Sequence, residues 1–311
     1  MTDIAILGAG MAGFGAAHHL QGAGARSTIY EMRDHYGGHT ASYRFDRGFV
    51  FDEGGHVSFT KDERLQRLLS ENVNHDYQTL TTRVNNYWRG YWIKHPAQCN
   101  LYGLPADLVV RVLQDFIATR QAEPRELCTY QDWLFATYGR TFAETFPMEY
   151  GLRYHTTTAD NMTTDWIGPR LYQPSLEEVL RGALGPASPD VHYISHFRYP
   201  SHGGFASYLR PFAERADLRL KHQVVAIDAR TRELRFSNGA RSRYDQLISS
   251  VPLPELIPMI AGTPQDVLAA AGRLACTTAV IVTLGVNRPD FIDAHWTYFY
   301  DRDIFFTRIS T

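Results

Sequence analysis

The chain has 311 residues, a formal charge of −2, 44% apolar residues and 21% charged ones, enough for a large core and two domains. It carries no sustained Lys/Arg run, which argues against nucleic acid as its main partner, and no stretch apolar and long enough to span a bilayer. Its three cysteines, Cys99, Cys128 and Cys276, are too far apart for a CxxC pair or a disulfide framework, so reduced thiols, no bound metal and a cytoplasmic location are expected.

The first predicted element is the strand Asp3-Ile4-Ala5-Ile6-Leu7, which runs straight into Gly8-Ala9-Gly10-Met11-Ala12-Gly13 and a helix of small residues. Strand, glycine triplet and helix in this order make a dinucleotide-binding turn. Gly8 permits the tight turn, Gly10 lets a phosphate approach the backbone, and Gly13 lets the helix lie close to the sheet. The helix N-terminus at Met11 and Ala12 then presents free N–H groups and a partial positive charge to the pyrophosphate. The next strand, Ser27-Thr28-Ile29-Tyr30, ends in Glu31 and Met32. A carboxylate there accepts hydrogen bonds from a ribose and repels a phosphorylated one.

Arg33, the loop Gly37-Gly38-His39 and the segment Phe51-Asp52-Glu53-Gly54-Gly55-His56 separate FAD from NAD, which needs none of them. A glycine pair after the acidic strand lets the chain pass under the pyrophosphate and ribityl chain, where a Cβ would obstruct it. Gly55 and His56 do the same beside the isoalloxazine. Two unrelated tight turns are the plainer alternative for these pairs.

Further along, Leu65, Leu68 and Leu69 mark one helix face, and Tyr87 to Ile93 reads as an aromatic hairpin turning at Arg89-Gly90. Leu108, Val109, Val112, Leu113, Phe116 and Ile117 recur at helical spacing. Tyr130 to Tyr138 forms another helix with Trp133, Leu134 and Tyr138 inward. Pro200 and Gly203-Gly204 punctuate the chain before a helix from Phe205 to Arg215. Strands follow at Gln223 to Ile227, where Val224 and Val225 are assigned to the cofactor, and at Glu233 to Phe236. After a turn at Asn238-Gly239, the run Gln246 to Pro252 fits a buried parallel strand rejoining the first sheet. Thr278 to Val286 and Trp296 to Ile309 read as further strands. The expected fold is α/β: a Rossmann-type FAD-binding domain with a parallel sheet over 1–62 and 200–262, and a substrate domain over 63–199 and 263–311 that combines an inserted helical region with a mixed sheet.

Phe51 to Phe59, Asp165-Trp166-Ile167-Gly168-Pro169-Arg170, Phe197 to Gly204, and Trp296-Thr297-Tyr298-Phe299 leading to Phe306-Thr307-Arg308 together resemble UDP-galactopyranose mutase. The resemblance is closest to eukaryotic-type members, within the wider amine-oxidase and protoporphyrinogen-oxidase-like flavoproteins. It implies that His56 lies against the flavin and that Arg170 and Arg308 converge beside it on the diphosphate of a nucleotide sugar. Trp296 and Tyr298 would then sit near the nucleotide and sugar. The implied activity is pyranose/furanose ring interconversion through reduced flavin, without net redox change. By residue type alone, arginine suits bidentate phosphate contact but also makes ordinary surface ion pairs, and His56 can equally be satisfied by a carbonyl. An FAD oxidoreductase of the amine-oxidase type and an inactive truncated FAD-binding fragment are the alternatives.

Within the resemblance, Tyr150-Gly151-Leu152-Arg153-Tyr154-His155 departs from the usual pattern: it has no lysine, and Tyr154 stands where a tryptophan is usual. Members also continue for roughly another hundred residues, a domain-scale length. A shortened chain with substoichiometric FAD and association into a homo-oligomer through exposed apolar surface is therefore expected.

Overall fold

The computed structural model describes residues 2–123, 125–168, 171–186, 194–288 and 291–311. The chain divides into two compact units, Met1–Thr79 with Arg198–Gly285, and Leu80–Phe197 with Val286–Thr311.

The first unit is built on four parallel strands in the order Gln246–Ser249, Ile4–Leu7, Ser27–Tyr30, Asp217–Arg219. Ile4–Leu7 is buried at every position, as a central strand covered on both faces requires. Alternate side chains serve different layers. Ile6 joins Phe14, Ile29 and Leu209 on the side of the helix Met11–Gly22, whereas Ala5 and Leu7 join Val224, Ile227, Leu234 and Phe236 from the antiparallel sheet. That second sheet pairs Val224–Asp228, Glu233–Phe236 and Arg241–Arg243, with a register shift between Val224 and Ala226.

Three expectations need correction in this unit. Gln246–Ser249 is parallel to the first strand but stands at the sheet edge, with Gln246 and Ile248 exposed instead of buried. The helix expected from Phe205 to Arg215 is a 3₁₀ turn, Phe205–Leu209, followed by the α-helix Arg210–Arg215. Pro211 has no N–H to give to Ser207, so it is accommodated only in a first turn. Thr278–Val286 is no strand: none of its residues enters a ladder among the described residues, and Val280 and Val282 are 88% and 76% exposed. Its β-branched pattern favours extension, but a strand also needs a neighbour's backbone. The strand Asp217–Arg219 was not expected, since three residues alternating with charge carry no periodic signal.

The second unit has a helical core in which Leu108, Val112 and Phe116 of Ala106–Gln121 meet Trp133, Leu134 and Tyr138 of Tyr130–Tyr138 and Phe142 and Phe146 beyond. Thr129 starts the second of these helices with a capping box closed by Asp132. The sheet order is Arg308–Ser310, Trp296–Phe299, Val84–Trp88, Tyr91–Lys94. Only Trp296–Phe299 with Val84–Trp88 is parallel, so the sheet is mixed. Arg89 and Gly90 both have positive φ, 47° and 88°, the twist that a two-residue hairpin needs. The strand expected over Trp296 to Ile309 is two strands joined by a loop that begins at Tyr300.

Candidate functional site

The strands' C-terminal ends carry the glycine turn. Gly8 has φ 101°, and a Cβ there would lie 2.3 Å from Ser250 Oγ, so only glycine suits the exit from the first strand. At Gly13 a Cβ would stand 1.9 Å from Gly8 O, which makes this glycine a condition of helix-to-turn packing. Gly10 is different. Its φ of −90° and ψ of −171° are open to any residue, and a Cβ would meet nothing nearer than Gly38 Cα at 3.7 Å. The protein itself does not require glycine here, and no side chain caps the helix that follows. The N–H groups of Met11, Ala12 and Gly13 have no intrahelical acceptor, and the space left by the absent Cβ is what a phosphate needs to reach them.

The second glycine pair belongs to the same structure. Gly37 N–H donates to Ala9 O at 2.8 Å, Gly37 bridges to Gly10, and a Cβ on Gly38 would approach Gly10 Cα to 3.2 Å. Gly10 and Gly37, 27 positions apart, therefore belong to one glycine-walled cradle, so Gly37-Gly38 is not an unrelated turn; Gly54 has no neighbour in that cradle within 4 Å of an added Cβ. His39 and Met32 are exposed beside it, and Met11 is 37% exposed.

Glu31 is buried, 7% exposed, and its two oxygens are already engaged. Oε2 accepts from Ala9 N–H at 2.8 Å and Oε1 from Arg33 N–H at 2.9 Å. Each oxygen keeps a lone pair for a further donor. The carboxylate thus anchors the glycine turn, a role beyond the expected ribose contact. The Arg33 guanidinium then turns to Glu53, Nη1 donating to Oε2 at 2.8 Å, and Tyr43 O–H donates to the same oxygen at 2.6 Å. These donors, Arg33 first, hold the Glu53 carboxyl below the usual carboxylate range against the opposing effect of burial.

His56 is half-buried, with Nδ1 2.9 Å from Gly54 O and its ring 5.6 Å from that of Phe205. A carbonyl only accepts, so Nδ1 carries a proton, and in the neutral ring Nε2 then holds the lone pair. Gly55 beside it is exposed. Of the two valines assigned to the cofactor, Val224 is core and Val225, at the register shift, is 47% exposed. A cavity of about 640 Å³ lies at the opposite, N-terminal ends of the strands, lined by Asp3, Arg26, Ser27 and Asp217 among others, and involves none of the glycine cradle.

In the second unit Tyr298 and Arg308 are direct cross-strand partners, and Trp296 pairs with Ser310. Tyr298 meets Tyr150 at 5.3 Å and His95 at 5.5 Å. Burial pushes the Tyr150 phenol above its ordinary range, with the neighbouring Tyr298 adding to this and the Arg308 charge opposing it. Arg153, one turn along the helix Pro147–His155, donates to the carbonyls of Phe299 and of Ile304, the latter at 2.7 Å, and Glu149 of the same helix pairs with Arg302. The connection between the strands bearing Tyr298 and Arg308 is thereby clamped by one helix. No local pattern encodes these roles of Tyr150 and Arg153, because their partners Tyr298 and Ile304 lie about 150 positions along the chain. Arg170 lies outside the described residues, and His56 and Arg308 belong to different units.

The family model for flavin containing amine oxidoreductases matches residues 11–298. The chain is similar to the crystal structure of a reduced UDP-galactopyranose mutase, with a TM-score of 0.88 and 26% identity over 99% of this chain and 69% of that one. It shares its fold with a protein from Exiguobacterium sp. 255-15 carrying a provisional protoporphyrinogen oxidase assignment, at TM-score 0.70 and 16% identity over 99% and 72% of the two chains. A stretch of 68 residues is 35% identical to the 15-cis-phytoene desaturase of Synechococcus elongatus, covering 22% of this chain and only 14% of that protein. No helix among the described residues is long and apolar enough to cross a membrane.

Proposed function

The chain belongs to the flavin containing amine oxidoreductase family, its cofactor is FAD, and from that premise we propose that it is a flavoenzyme that interconverts the pyranose and furanose rings of a nucleotide sugar. The observation that carries the reading is the Tyr298–Arg308 cross-strand pair beside Tyr150, an aromatic surface with a guanidinium at its edge. A sugar or base can stack on the rings while the guanidinium takes a diphosphate oxygen pair. The likeness to the mutase structure supports the same reading.

Met11, Ala12 and Gly13 would hold the FAD pyrophosphate through backbone N–H groups, Glu31 the ribose, and Gly37-Gly38 would give the chain room beneath the cofactor. When bound and reduced, FAD would supply a nucleophilic ring for exchange at the sugar's anomeric carbon. Arg308, together with Arg170, would stabilise the diphosphate as it leaves, and the aromatic surface would keep the sugar in place while its ring reopens.

An oxidoreductase acting on an amine or related substrate is the second reading, favoured by the family match over residues 11–298. Anaerobic turnover of the purified protein after dithionite reduction separates the two. Conversion of a UDP-sugar with no oxidant consumed selects the mutase; turnover that stops without oxygen or another acceptor selects the oxidoreductase.

A further inference from the structure

Asp52 ends the strand Val50–Asp52 and gathers three neutral donors on one carboxylate. Oδ1 accepts from Ser42 Oγ at 2.5 Å and from the Phe205 N–H at 3.0 Å, and Oδ2 accepts from the Tyr199 hydroxyl at 2.7 Å. Ser42 Oγ accepts in turn from the Ala206 N–H at 3.0 Å. No cation pairs with Asp52 among the described residues, so its partners serve to fix geometry and not to balance charge. Gly204, with φ 75°, is where the chain folds onto this carboxylate: a Cβ there would fall 2.4 Å from Ser42 Oγ and 2.7 Å from Asp52 Oδ1.

Both supports of His56 lead back to this residue. The Asp52 carbonyl accepts the Gly54 N–H at 2.8 Å, and the Gly54 carbonyl accepts from His56 Nδ1 at 2.9 Å. The Asp52 carboxylate holds the Phe205 backbone, and the Phe205 ring lies 5.6 Å from the imidazole at an interplanar angle of 46°. One route sets which ring nitrogen carries the proton, and the other sets the plane of the ring. Tyr199 completes the arrangement, its phenol raised well above the ordinary range by burial and by the Asp52 hydrogen bond.

We propose that Asp52 is a positioning residue for His56, fixing the plane of the imidazole through Phe205 and with it the Nδ1–H bond to the Gly54 carbonyl. The inference rests on the reading that His56 faces the cofactor, and two readouts keep the two claims apart. In holoprotein with ¹⁵N-labelled histidine, Asp52→Asn puts an amide where two acceptor oxygens stood, so that either the Phe205 N–H loses its acceptor or the Tyr199 hydroxyl must turn round and accept from the amide. The Asp52 carbonyl under Gly54 is backbone and survives the substitution, so the change reaches His56 through Phe205: a tilted ring weakens the Nδ1–H bond to Gly54 O, the His56 ring nitrogens shift from the pattern of a single tautomer toward an exchange-averaged one, and Tyr199→Phe, which removes one donor, gives a smaller shift in the same direction. The bound flavin's absorption band and reduction potential should move with Asp52→Asn in the direction given by His56→Ala, and the double variant should match His56→Ala alone. Unchanged His56 ¹⁵N shifts in both Asp52→Asn and Tyr199→Phe overturn the proposal, whatever the flavin does; Tyr199→Phe decides if Asp52→Asn does not fold. A flavin that ignores His56→Ala while the ¹⁵N shifts still respond to Asp52→Asn leaves the positioning role standing and refutes only the placement of His56 against the cofactor.

Discussion

The Glu31 carboxylate accepts a hydrogen bond from the Ala9 backbone N–H at 2.8 Å, so the acid ending the second strand holds the turn that leaves the first. Because the Arg33 N–H takes its other oxygen, one side chain sets the spacing between the glycine turn and the path to Gly37-Gly38. The acid therefore has a job in the protein itself, in addition to the ribose contact proposed for it.

Glu31→Ala should therefore destabilise even the flavin-free protein, by about 1.5–3 kcal/mol, the range for a hydrogen bond to a charged group, because it strands a buried N–H. Urea unfolding of apoprotein measures this. An apoprotein as stable as wild type, with only FAD affinity reduced, would mean that the carboxylate serves the ligand alone.

Gly10 and Gly13 should separate ligand binding from folding. Gly10→Ala has room in the protein, so apoprotein stability should change by no more than about 0.5 kcal/mol, while retained FAD falls sharply as the methyl occupies phosphate space. Gly13→Ala drives a methyl into Gly8 O and should cost about 3 kcal/mol or more, or prevent folding. Flavin content at 450 nm set against thermal midpoints tests the pair, and equal losses of stability in both would defeat it.

Arg308→Ala is expected to weaken UDP binding by about 1.5–3 kcal/mol and leave flavin affinity unchanged, since the exposed guanidinium stands on the Tyr298 strand pair in the second unit. Calorimetric titration of holoprotein with UDP is the measurement. Unaltered affinity would remove the main support for a nucleotide-sugar substrate.

The Arg33–Glu53 pair predicts an acid dependence. Glu53 titrates lower when folded than its unfolded value of about 4.3, so the pair's contribution is complete above that value and is lost as pH falls through the folded one. Urea midpoints should drop between about pH 5 and 3, and Glu53→Gln should flatten part of that fall. Both side chains are partly exposed, at 36% and 26%, which keeps the effect modest. A steeper fall in the variant would contradict the assignment.

Val280, Val282 and Leu284 stand out at 88%, 76% and 75% exposure on a segment without ladder partners among the described residues. Val282→Lys should raise the concentration at which the protein associates, by placing a charge in the middle of the apolar run. Light scattering across a concentration series checks it; equal scattering from the variant and the wild type would refute it.

Sequence by itself determined the parts whose causes are local. The apolar run Ile4 to Leu7, the triplet Gly8, Gly10 and Gly13, the helical spacing of Leu108, Val112 and Phe116, and the Arg89-Gly90 hairpin all follow from periodicity, φ requirements and the absence of a Cβ, which neighbours in the chain already specify. Tertiary structure alone decided which distant groups meet. Gln246–Ser249 became an edge strand, and Thr278–Val286 gained no ladder, because pairing depends on which backbones arrive alongside. Glu31 proved to hold Ala9, and Asp52 to hold Tyr199 and Phe205 across about 150 positions, contacts that no local pattern encodes since a carboxylate's choice of donors is made only when the folded chain presents them.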